Sequence, residues 1–212
     1  MKLLFENWRK FLNEAAKTSA DLPDSVVITI MPDKSYMGGE AYKIFYARAD
    51  KPEEYSHLQV DQVQGGINLV SLDSEYGPCE RAMMVGSISV EPSGWGPLLY
   101  DIAIEWATIK GNGLISDREG VSLNARKVWD YYLNNRGDVT AHQLDDLDNT
   151  LTPEEEDNCD QYIAGPMRAK MYGGDPRFED IEGQWQDSSL SKRYTKEPTT
   201  INSLGDRLVV LE

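Results

Sequence analysis

Between residues 86 and 107 the chain reads GSISVEPSGWGPLLYDIAIEWA, an apolar strand pattern that runs into Ser93-Gly94-Trp95-Gly96 and then into a helical pattern. Glycines at such a junction let the backbone approach a ligand closely, and the free N–H groups that open the following helix attract an anion. The chemistry on offer is capture of a phosphate or pyrophosphate, with a plain tight turn as the other reading. A Walker loop is excluded because no Gly-Lys-Ser/Thr follows, and a dinucleotide fingerprint lacks its third Gly. Other reactive residues are sparse. His57 and His142 have no carboxylate or nucleophile at a matching spacing, and G-x-S-x-G is absent. Cys79 and Cys159 lie far apart without CxxC spacing, which predicts two reduced thiols rather than a disulfide scaffold or a zinc site. No metal site is expected. An EF-hand counted from Asp146 would need Gly at its sixth position, where Leu151 stands.

The elements that must position this turn follow from periodicity. Ser25–Met31, Glu40–Arg48 and Arg81–Val90 read as strands, and His57–Val63 with Asn68–Leu72 reads as a hairpin-like pair around Gln64-Gly65-Gly66. Pro97–Ala107 puts Leu98, Leu99, Ile102, Ala103 and Trp106 on one helical face, with Pro97 in the first turn. Gly113–Ser116 is a short buried strand. Ser122–Asn134 is a helix with Ser122 as N-cap and Ala125, Val128, Trp129 and Tyr132 on one stripe, and Asp138–Leu144 is a further strand. Strand, helix, strand, helix, strand is a βαβ arrangement, so the fold class is α/β (α+β). Residues 1–17 place Leu4, Trp8, Phe11, Leu12 and Ala15 on one stripe of an amphipathic helix. Thr152-Pro153-Glu154-Glu155 has capping-box spacing and predicts a short acidic helix. Residues 165–200 read as irregular, and Leu208–Leu211 as a terminal strand.

The stretch from GSISVEPSGWGPLLYDIAIEWA through GLIS to SLNARKVWDYYLNNR resembles the core of the GNAT superfamily of acyl-CoA-dependent N-acetyltransferases. The likeness covers Arg81–Leu144 well and the earlier strands only by order. GWGPLLYDIAIEWA, ISDREGVSLNARKVWDYYLNNR and QLDD are most similar to GNAT-like proteins encoded by bacteriophages. The resemblance implies a mixed, mainly antiparallel sheet flanked by helices, whose fourth and fifth strands splay apart. It also implies that acetyl-CoA lies along the fourth strand, at Ile88 and Val90, with its pyrophosphate on the turn formed here by Ser93, Gly94, Trp95, Gly96 and Leu98. The family's thiolate acid is often a Tyr of the helix beginning here at Ser122. The matched position holds Trp129, and Tyr132, near the same face, becomes the expected acid. Glu91, at the strand's end, is the expected base, with Glu80, Glu75 and Asp73 as alternatives. Two departures stand out: Glu91 occupies the place of the usual Arg or Gln, and Pro97 removes one amide donor. They keep open a second reading, a catalytically degenerate phage protein with a structural or host-protein-binding role.

Composition bounds the partners. The 212 residues carry 21 Lys plus Arg against 36 Asp plus Glu, a net −15. Such a balance with no basic run argues against nucleic acid and favours a cationic acceptor, a small-molecule or protein amine. Residues 1–144 are net −6 and residues 145–212 net −9, with eight acids and no base from Asp145 to Asp160. The expected organisation is therefore a GNAT-like domain over 1–144 and an acidic extension over 145–212, whose segment 145–160 suits a cationic protein partner. Glu6, Asn7, Arg9 and Lys10 interrupt the N-terminal apolar residues, no run approaches the roughly 18 residues of a membrane span, and a cytoplasmic location is expected, virion association remaining open.

Overall fold

The computed structural model describes residues 16–55, 63–91, 94–161 and 185–212. The β-branched and aromatic runs form β1 (Val26–Pro32), β2 (Ala41–Arg48), β3 (Gln64–Ser71) and β4 (Met83–Glu91), a continuous antiparallel meander. After β4 come α1 (Gly96–Lys110), the two-residue β5 (Leu114–Ile115), α2 (Leu123–Asn135) and β6 (Val139–Gln143). Ser122 caps α2 as expected, its Oγ accepting the Ala125 N–H at 3.3 Å. A small parallel pair, β7 (Asp145–Asp146) and β8 (Asn158–Cys159), precedes β9 (Lys192–Lys196), α3 (Thr199–Leu204) and β10 (Leu208–Val210). The eight-stranded sheet runs β10-β1-β2-β3-β4-β5-β9-β6, with β1–β10 and β4–β5 parallel and the other pairs antiparallel. The molecule is thus a mixed α+β fold on a mainly antiparallel sheet. The expected N-terminal helix and most of His57–Val63 lie outside the described residues.

Four expectations need correction, the last of them at the cysteines. Gln64-Gly65-Gly66 is the start of β3 rather than a turn. A Cβ on Gly65 (φ +120°) would lie 2.0 Å from the Ser89 carbonyl oxygen, so the glycine permits close approach of β4. The acidic segment forms no helix at Thr152. Buried Asp145 takes the Leu151 and Thr152 N–H groups at 2.6 and 2.7 Å, and a fixed carboxylate gathering two amides competes with the first helical turn. The compositional boundary at 144 also fails to divide the fold. KRYTK, within the stretch expected to be irregular, enters the sheet between β5 and β6, and β10 pairs with β1.

That return covers α1. Its residues Leu98 to Ala107 are buried, apart from the half-buried Asp101, because α1 packs on β9 and α3 as well as on β2 and β3. Glu105 is fully enclosed. Its carboxylate accepts the N–H groups of Thr200 and Ile201 at 2.8 and 2.7 Å and pairs with the Lys196 ammonium, which also reaches the Thr199 and Thr200 hydroxyls. Arg118, also fully buried, donates to the Ser116, Asp160 and Leu190 carbonyls at 3.2, 3.1 and 2.8 Å, and burial lowers its pKa to about 10.

The cysteines are joined, contrary to the reduced pair expected from their spacing. Main-chain bonds from Glu80 N–H to the Glu156 carbonyl (2.6 Å) and from Asp160 N–H to the Tyr76 carbonyl (2.8 Å) bring Cys79 and Cys159 together, a closure that local spacing does not reveal. This removes one ground for expecting a reducing compartment. No helix among the described residues is long and apolar enough to cross a membrane.

Two outcomes are expected. Glu105→Ala should lower unfolding stability by about 3–5 kcal/mol in urea, since it strands a buried ammonium, while the double replacement Glu105→Met with Lys196→Met should recover most of that loss. Reducing the Cys79–Cys159 bond, which closes a separation of 80 residues, should cost about 2–4 kcal/mol in the same assay.

Candidate functional site

β4 and β5 pair only at Met83↔Leu114 and Met84↔Ile115. Beyond Met84, β4 keeps β3 on one side and has no strand partner among the described residues on the other. The register to β3 shifts between Asn68 and Leu69, leaving Gly86 as an unpaired bulge where the two parallel strands diverge. Bulges of this kind re-aim a strand and interrupt its pairing. Ile88 and Val90 pack against the main core, whereas Ser87, Ser89 and Glu91 are exposed. Ser87 Oγ accepts from Asn68 Nδ2 at 3.1 Å and Glu91 Oε2 from Gln64 Nε2 at 2.9 Å.

The glycine turn lies at the open end of this cleft. Gly94 has φ +101°, and its carbonyl accepts the Lys17 N–H at 2.9 Å. The Trp95 ring is buried edge-on to Tyr46, whose hydroxyl donates to the Trp95 carbonyl at 2.8 Å. Both bonds use carbonyls, so they fix the turn without using its amides. α1 opens without a side-chain cap from Trp95, and Pro97 removes one of its first-turn donors. A Cβ on Gly96 would meet nothing within 4 Å. Ser93 lies outside the described residues. The remaining turn positions, Gly94, Trp95, Gly96 and Leu98, thus bring a helix N-terminus to open space beside the free edge of β4.

Tyr132 is enclosed. Its hydroxyl donates to Asp101 Oδ1 at 2.6 Å, and burial, with the Asp101 charge, pushes its pKa well up. Arg136 clamps Asp101 from the other side at 2.9 Å and pairs with Asp138 at 2.7 Å. Together with Lys17, Pro97 and Tyr131, Tyr132 lines a hollow of about 270 Å³ beside the turn. Trp129 is packed between Tyr100 and Tyr194, with ring centroids 5.6 and 5.0 Å away. The structure therefore brings Glu91, the turn and the β4 edge together, and keeps Tyr132 protonated, its hydroxyl donating to Asp101.

The alternative base Glu80 pairs with Arg193 ahead of β4, and Asp73 and Glu75 lie between β3 and β4, away from the turn that follows Glu91. His142 shares a hydrogen bond with Thr195 Oγ1 at 2.9 Å, and burial lowers its pKa; His57 lies outside the described residues. Lys17, Gln64, Asp101 and Arg136 were missed by sequence reasoning. Of these, Asp101 alone carried a signal, as a carboxylate in an otherwise apolar stretch of helix.

Arg136 lowers the Asp138 pKa from 3.8 to about 2, so its folded value lies below its unfolded one. The stabilisation it brings is present above pH 3.8 and is lost as pH falls towards 2. Asp138→Asn should flatten that part of the acid-denaturation curve relative to the parent chain, as read by circular dichroism. In comparisons with known proteins, no family model, curated protein or solved structure matches this chain, and the site stands on its own geometry.

Proposed function

We propose that this chain is a GNAT-type N-acetyltransferase that binds acetyl-CoA in the cleft between β4 and β5 and transfers the acetyl group to an amine. The observation that carries the reading is the divergence of β4 from β5 after two paired residues, with a glycine turn and an uncapped helix start at its open end. The pantetheine amides of the cofactor would add to the free edge of β4, as a strand does, and the pyrophosphate would take the α1 amides. Attack by a neutral amine on the thioester carbon makes a tetrahedral oxyanion, and N–H groups beside the Gly86 bulge are suited to receive it. Collapse expels the CoA thiolate, which takes a proton, while the amine loses one. Glu91, exposed beside the turn, is the group assigned to accept the amine proton; it stands five residues along β4 from Gly86, about 16 Å at strand rise, so the proton reaches it through bound water rather than directly. Tyr132 contributes by holding Asp101 and Arg136 in place. The sign of the chain's charge favours a cationic acceptor and disfavours nucleic acid.

The second reading, a degenerate fold that binds a cationic host or virion protein through 145–160, is favoured by one specific arrangement. On the face where the family often supplies an acid, Trp129 is packed in the core and the Tyr132 hydroxyl is committed to Asp101.

A thermal-shift titration of the full chain tests the proposal. Acetyl-CoA at a hundred times its Kd should raise Tm on the order of 5–10 °C. Gly96→Trp, which has room to fold, should abolish the shift, and release of free CoA in the presence of amines should separate an enzyme from a binding protein. An unchanged Tm at about 1 mM ligand would sink both cofactor binding and turnover.

A further inference from the structure

We propose that the cavity below the β4–β5 junction binds a small zwitterion of the α-amino-acid class. The cavity holds about 710 Å³, within the range of small-molecule sites, and lies where β4 begins and α1 ends, at the far end of β4 from the glycine turn. Glu40, Glu80 and Glu156 face it with Arg81 and Lys110. Glu80 is committed to Arg193. Among the described residues, no ion pair joins Glu40 or Glu156 to Arg81 or Lys110, although these groups of opposite sign share one cavity. Ser71 lines the same space, and its Oγ is shielded from solvent without a protein partner among the described residues.

The wall that carries Arg81 is built under strain. Cys79, Glu80 and Arg81 have φ of +42°, +51° and +58°, three successive side chains in a region that L-residues avoid. The turn persists because it is over-determined by the bond to Cys159, the Glu80–Arg193 pair, Glu80 N–H to the Glu156 carbonyl, and Arg81 N–H to the Pro78 carbonyl. Strain held this firmly marks a place where side-chain position matters. A lone anion would be attracted by Arg81 and Lys110 but repelled by Glu40 and Glu156, and a lone cation the reverse. A molecule carrying carboxylate and ammonium a few ångströms apart satisfies both sets, with the Ser71 hydroxyl as a third contact.

Calorimetric titration of the full chain tests this with L-alanine, L-glutamine and L-lysine as zwitterionic probes, against methylamine and acetate as singly charged controls. At least one amino acid should bind saturably below about 10 mM, and neither control should. Glu40→Gln and Arg81→Gln are at exposed positions, and the second keeps the same backbone demand. Each should weaken binding roughly tenfold without changing the circular dichroism spectrum, and Ser71→Ala should weaken it further. Failure of all three amino acids to bind the folded chain, equal binding of either control, or affinities untouched by both charge variants would overturn the proposal. Acetyl-CoA binding is measured separately, so neither result depends on the other.

Discussion

Enclosure of α1 on every side is the constraint from which the rest of the structure follows. GPLLYDIAIEWATIK offers water little beyond Asp101 and its last residues, and a sheet can cover only one side of a helix. The second cover has to come from elsewhere in the chain. It comes from α3, which packs on α1 after β9 has entered the sheet beneath it. Glu105 makes that cover specific, since its desolvated carboxylate is tolerable only with the α3 amides and the Lys196 ammonium around it.

The same return sets the shape of the cleft. β5 joins β4 over two residues and then belongs to β9, so the parallel strands have no ladder to hold them together beyond Met84. Arg118 pins the closed end. It lies three residues past the end of β5, its N–H reaches Met84 Sδ at 3.3 Å, and its guanidinium ties the Ser116, Asp160 and Leu190 carbonyls together. The open end is held by the Lys17 and Tyr46 bonds to the glycine turn. Both ends of this stretch of β4 are held by the protein's own contacts, and beyond Met84 its outer edge has no strand partner among the described residues.

Elements with a clean period were legible in the sequence: β1, β2, most of β4, both long helices, β6 and β10. What escaped depends on distant partners. Gly65 and Gly66 read as a turn because glycine is a turn residue, while their use is to admit β4 closely. KRYTK fell within a stretch that read as irregular, yet Arg193 and Lys196 are buried because Glu80 and Glu105 meet them from residues more than ninety positions earlier. The pairing of Cys79 with Cys159 rests on the β7–β8 loop, which is itself organised by Asp145. At the candidate site, Glu91 and the glycine turn were found from local pattern, whereas the Asp101–Tyr132–Arg136 cluster spans two helices, and no spacing within either one announces it.

The insertion of β9 between β5 and β6 has a consequence for how the chain is made. A ribosome delivers β5 and β6 well before Lys192–Lys196, so each nascent chain passes through a stage in which two strand edges stand unfilled and one side of α1 is bare. Closure waits for a segment that begins 49 residues after Gln143, the last residue of β6. The keystone of this sheet therefore arrives after both of the strands it joins, and the interval before it does is when the molecule is most open to neighbours.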